Sequence, residues 1–154
     1  MKIEQKIQEL GLHLPEQSTP KAMYVPVKQL GNALYVSGQI PVVDGELVYQ
    51  GKAGRERSLE DAQEAAKICT MNVLAAVRHY LGDLDQVAQV VKLQGFVNSE
   101  EGFSEQHKVI NASSQLLYDI FGETGRHART ALGTNQLPMD ATVEIEAVFE
   151  VEST

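Results

Sequence analysis

The 154-residue chain has one cysteine, no tryptophan and few aromatic residues of any kind, 6% in total. A lone cysteine excludes a disulfide framework within one chain and fits a reducing compartment. No stretch approaches the ~18 apolar residues that a bilayer span requires. The opening segment, MKIEQKIQEL, lacks the apolar core of a signal peptide. The chain is therefore expected in the cytoplasm, with no membrane partner. Positive charge is also scarce, with 13 Lys and Arg against 21 Asp and Glu and a formal net charge of −8. Such a chain repels polyanions, so no nucleic acid partner is expected. A small anion can still bind where one arginine sits in a closed pocket. CxxC, HExxH, P-loop and GxGxxG patterns are all absent. His13, His79, His107 and His127 lack metal-ligand spacing, so neither a metal nor a cofactor is expected.

What is present fits one domain. Residues 2–11 read as a short helix stopped by Gly11, and His13 to Pro20 as a loop broken by Pro15 and Pro20. Residues 1–20 thus form an extension ahead of a domain spanning 21–152. Strands are expected at 22–28 and 33–38, around a Gly31-Asn32 turn, with Ala33, Tyr35 and Ser37 on one face. Asp44-Gly45 signals a hairpin. Ser58 and Asp61 resemble a capping pair that opens a long helix running to about Leu81. Its buried stripe would hold Leu59, Ala62, Ala66, Cys69, Val73, Val77 and Tyr80, with Cys69 a packed residue rather than a nucleophile. A strand follows at 86–98 and a second long helix at 104–121, with Val109, Ala112, Leu116 and Ile120 inward. A basic loop, Gly125-Arg126-His127-Ala128-Arg129, then feeds a short strand at 130–133. The last strand, 141–151, alternates Val143, Ile145, Ala147 and Phe149 against Thr142, Glu144, Glu146 and Val148.

This order implies an α+β domain, a sheet with two long helices packed on one face. The other face is left wet or buried by another subunit. The basic loop and the acidic strand are the remaining candidates for chemistry. Arginine suits a carboxylate clamp because its planar fork matches a carboxylate bidentately. Glutamate suits water activation if it accepts a proton at working pH. On pattern alone the same residues also read as solvated surface charges, and nothing in the spacing pairs them.

Two separated segments, LYVSGQIPV (34–42) and ARTALGTNQLPMDATVEIEAV (128–148), resemble the signatures of the reactive-intermediate deaminase (Rid) family, also called YjgF-like or endoribonuclease L-PSP. The resemblance covers about residues 20–151. It implies a chorismate mutase-like fold, a homotrimer with clefts between subunits, and hydrolysis of 2-aminoacrylate-type enamines, as imines, to 2-keto acids and ammonia. Carried over residue by residue, Arg129 would bind the substrate carboxylate, with Arg126 as its competitor. Glu144 would orient or activate water, with Glu146 as its competitor. Ser37, Tyr24 and Asn111 would line the pocket. Thr130 and Ala131 stand where the family often has Ser then Cys, so backbone groups would serve at Ala131. The longer N-terminus and the SEEGF segment at 99–103 place the chain in a longer branch. Two other functions compete: a non-catalytic module binding small carboxylates, and RNA cleavage, against which the charge of −8 argues.

Overall fold

In the computed structural model, which describes residues 2–17 and 22–153, the apolar periodicities become two layers. One is a five-stranded sheet in the order β1-β2-β7-β5-β6. Its strands are β1 (Val27–Leu30), β2 (Ala33–Gln39), β5 (Val87–Asn98), β6 (Ala128–Thr134) and β7 (Val143–Val151). All neighbours pair antiparallel except β5 and β6, which run parallel and are joined through a helix. A two-stranded hairpin, β3 (Val42–Val43) and β4 (Glu46–Leu47), turns at Asp44-Gly45 with φ of 51° and 82°. Positive φ at both turn positions matches the strand twist of a two-residue hairpin.

The second layer is α2 (Leu59–Leu81) beside α3 (Gln106–Phe121). Ser58 caps α2: its side chain accepts from the Asp61 N–H, and the Asp61 carboxylate accepts from the Ser58 N–H. Aspartate thus completes a capping box in the place usually held by Glu or Gln. Gly82 ends the helix at φ 85°, in the left-handed region that favours glycine. The buried surface of α2 is wider than one stripe, because Ala65, Met71, Leu74 and Ala76 are buried as well and α3 covers that flank. Tyr80 departs from expectation: it is 47% exposed and its hydroxyl donates to Gln29. On α3, Ala112 is only half-buried, while Ser113 is fully buried and donates to the Ala66 carbonyl of α2. Cys69 is fully buried, with Sγ 3.5 Å from the Val143 carbonyl, and burial pushes its thiol well up. It is a packed residue.

Leu34, Val36, Leu93, Val97, Ile145 and Phe149 all point to the helices and are buried. Tyr35, Ser37, Lys92, Gln94, Glu144 and Glu146 point the other way, onto a face that no element of the described residues covers. The N-terminal segment contributes α1 (Lys2–Glu9). Ile7 enters the core, Glu4 pairs with Arg78 at 2.8 Å, and the Ile3 N–H donates to Asp85. That backbone donation is the first reason the Asp85 carboxyl is lowered to about 2. Pro20 and the proposed boundary at Lys21 lie outside the described residues.

Two segments differ from the sequence reading. Residues 22–26 are not strand. They run beside β2, tied down where Ser37 donates through Oγ to the Val25 carbonyl (2.6 Å) and through its N–H to the Pro26 carbonyl (2.8 Å). Ala128 and Arg129 belong to β6 rather than to the preceding loop, because both take part in the parallel ladder with Lys92 and Leu93. Gly125 makes that early strand entry sterically accessible. A Cβ there would stand 2.3 Å from the Leu117 carbonyl oxygen, which is fixed in the α3 backbone. Gly125→Ala is expected to cost about 2–3 kcal/mol, the upper part of the overpacking range, since no side-chain rotation relieves the clash. Urea unfolding checks this, and an unchanged midpoint would show that the loop yields freely.

Candidate functional site

Arg129 lies opposite Leu93 in the β5–β6 ladder, so its side chain leaves the sheet on the helix side. It meets α3 there. Nη1 donates to Asn111 Oδ1 at 2.8 Å and to Ser114 Oγ at 3.2 Å. Residues 111 and 114 share a helix face, three positions apart, so both reach one guanidinium nitrogen. No carboxylate pairs with Arg129 among the described residues, and Nε and Nη2 have no hydrogen-bond partner there. The guanidinium borders a cleft of about 520 Å³ lined by Asn111, Ser114, Gln115, Tyr118, Arg126, His127 and Arg129. In a chain of net charge −8 this lining contains two arginines and no acidic residue. Arg126 is largely exposed and leans toward Glu123 at 3.6 Å, a solvated pair of little energetic weight.

Ser114 and His127 were not singled out from the sequence. Ser114 Oγ is 2.9 Å from His127 Nε2, and His127 Nδ1 is 2.7 Å from the Gly125 carbonyl. Burial lowers the imidazole's pKa first, and the nearby Arg129 charge adds to that. A period-2 count back from Arg129 to His127 and an i,i+3 count on from Asn111 to Ser114 would have placed both on the arginine's side.

The remaining candidates lie elsewhere in the subunit. Glu144 pairs with Phe96 in the ladder and occupies the uncovered sheet face. Its side chain crosses Gly38, where a Cβ would stand 3.0 Å from the carboxyl carbon, at the irregularity in the β2–β7 register. Burial, and secondarily Glu146, raises its carboxyl above the usual range. Ser37 and Glu146 border a depression of about 360 Å³ on the same face, with Lys28, Tyr35, Lys92 and Gln94. Tyr24 is 57% exposed on the neighbouring segment 22–26. Ala131 lies opposite Gly95, half-buried against the core and outside the arginine cleft. One subunit thus brings Arg129 and Asn111 together on one side of the sheet and leaves Ser37 and Glu144 on the other, where Glu146 rather than Glu144 shares the depression with Ser37.

Comparison with known proteins agrees with this fold. A family model described as "YjgF/chorismate mutase-like, putative endoribonuclease" matches residues 4–150. Protein TCP17 of Trypanosoma cruzi is 40% identical over 153 residues, covering 99% of this chain and 96% of that protein. The structure of Atu1372, a protein of unknown function from Agrobacterium tumefaciens, is 46% identical with a TM-score of 0.92, covering 98% of this chain and 93% of that one. The structure of E. coli TdcF with bound serine is 25% identical with a TM-score of 0.63, covering 90% and 94%.

Proposed function

This chain belongs to the YjgF/chorismate mutase-like family, and from that premise we propose that it hydrolyses reactive enamine/imine acids of the 2-aminoacrylate type to 2-keto acids and ammonia, in clefts between the subunits of a homotrimer. One observation carries this reading. Arg129 is braced at Nη1 by Asn111 and Ser114, with Nε and Nη2 left for a ligand in a cleft free of carboxylates. That open edge matches a carboxylate bidentately. The serine bound to E. coli TdcF is an acid of similar size.

In this scheme Arg129 fixes the substrate's C=N carbon, and positioning supplies much of the rate. Glu144 of the partner subunit takes a proton from water as the oxygen attacks that carbon. That proton passes to the nitrogen, the hydroxyl gives up its own proton as the carbonyl forms and the C–N bond breaks, nitrogen leaves as ammonia, and the keto acid remains. The scheme needs no metal or organic cofactor. A second subunit is required because Arg129 and Glu144 leave opposite faces of one sheet. The half-open face of Tyr35, Lys92, Gln94 and Glu146 is the surface available for that contact. The test supplies a pyridoxal enzyme that releases aminoacrylate in situ and follows keto-acid or ammonia formation. Wild-type protein is expected to accelerate it, and no acceleration would overturn the proposal.

The separation of the two clusters also favours a second reading, a non-catalytic module that binds small carboxylates. Arg129, Asn111 and Ser114 make a complete anion grip without Glu144. Thermal stabilisation by keto acids without turnover of any imine would select it.

A further inference from the structure

The bonds around Ser114 and His127 have one consistent direction. A carbonyl oxygen only accepts, so the Gly125 carbonyl requires the proton on His127 Nδ1. Neutral His127 then presents a bare Nε2, which accepts from the Ser114 hydroxyl. The Ser114 oxygen is left with lone pairs to accept from Arg129 Nη1. Ser114 on α3, Gly125 and His127 in the connection that follows it, and Arg129 on β6 form one hydrogen-bonded chain that ends at the cleft.

We propose that His127, acting through Ser114, is a positioning residue for Arg129 and a proton-linked part of the anion site, so that the cleft takes up a proton at His127 as it takes up a small 2-oxo or 2-imino carboxylate. This rests on the reading of Arg129 as the carboxylate anchor. The physical argument is charge balance. In the free protein, burial and, more weakly, the Arg129 guanidinium lower the His127 imidazole's pKa, against the Gly125 carbonyl, which raises it. A bound carboxylate cancels the guanidinium charge and adds a negative group beside the ring, which favours the imidazolium. The other charged or titratable groups around the ring do not substitute for this. Arg126 leans on Glu123, Asp119 accepts from Gln115, Tyr118 lines the cleft from α3, and Lys92, across the ladder from Ala128, faces the opposite side of the sheet. By linkage, anion affinity must rise as pH falls through the histidine range, about tenfold if binding moves the imidazole by one pKa unit.

The experiment measures pyruvate binding by calorimetry between pH 5.5 and 8.5, in buffers of differing ionisation enthalpy. Wild type is expected to bind several-fold more tightly at the acid end, with proton uptake. His127→Gln keeps an acceptor for Ser114 and lacks a titrating ring, so it is expected to bind with a flat pH profile. Ser114→Ala is expected to weaken binding across the whole range. A His127→Gln profile as steep as wild type, or no proton uptake by wild type, overturns the inference while leaving the anchor intact. Undiminished binding by Arg129→Ala, or no pyruvate binding by wild type, overturns the anchor reading itself. Nitrogen-15 NMR of the imidazole reads the tautomer without any ligand, and a proton on Nε2 of the neutral ring would also sink the proposal.

Discussion

Replacing Arg129 by alanine is expected to lower kcat/KM for imine hydrolysis by two to three orders of magnitude while leaving the fold intact. A charge-assisted pair whose partner is removed typically costs about 2–5 kcal/mol, and each ~1.4 kcal/mol is tenfold in rate. Arg129→Lys is the sharper variant. It keeps the charge but not the planar fork, and it cannot reproduce the geometry toward Asn111, Ser114 and the ligand. It should recover only a small part of the loss. A lysine variant with wild-type kcat/KM would reduce the arginine's role to general electrostatics. The side chain is half-exposed at the sheet edge, so melting temperature should move little. A large fall would point to a structural role instead.

Glu144→Gln is expected to lower kcat by roughly 10²–10⁴-fold, the usual worth of a positioned base, with a smaller change in KM. The raised carboxyl makes the pH dependence specific. Activity requires the ionised form, so kcat in wild type should fall on acidification at a higher pH than an ordinary carboxylate would give. The stability effect has the opposite sign. The folded pKa exceeds the unfolded one, so the native state binds more protons and stability falls as pH rises from the ordinary carboxylate value through the raised one. At neutral pH the charge burdens the fold, and Glu144→Gln should therefore unfold no earlier than wild type. If each cleft joins Arg129 of one subunit to Glu144 of the next, two inactive variants can complement. Unfolding Arg129→Ala and Glu144→Ala chains together and refolding them should restore about a quarter of the wild-type clefts by random assembly. No recovered activity, with mixed oligomers verified by mass, would exclude an intersubunit site.

The legibility of the sequence follows the range of the forces involved. Elements governed by local rules are readable: the Ser58–Asp61 cap, the Asp44-Gly45 turn and the alternation along residues 143–151. Tyr80 looked like part of the apolar stripe of α2 because spacing alone does not say where the packing layer ends. Residues 22–26 looked like strand from composition, yet their backbone is tied to Ser37, twelve positions away from Val25. Arg129 looked like a loop residue because its strand partner, Leu93, is far off in sequence. Of the site, Arg129, Asn111, Ser37 and Glu144 were named through likeness to a family, whereas Ser114 and His127 became visible only once α3 lay along β6.

By itself the sequence determined which residues are apolar, where each helix and strand can begin and stop, and hence an α+β layer with one covered face. Those choices rest on backbone sterics, capping and period, which act over a few residues. Only the tertiary structure decided which side of the sheet each functional side chain leaves, because that depends on ladder register, and a shift of one residue turns every side chain to the opposite face. In this chain register sends Arg129 toward α3 and Glu144 toward the uncovered face.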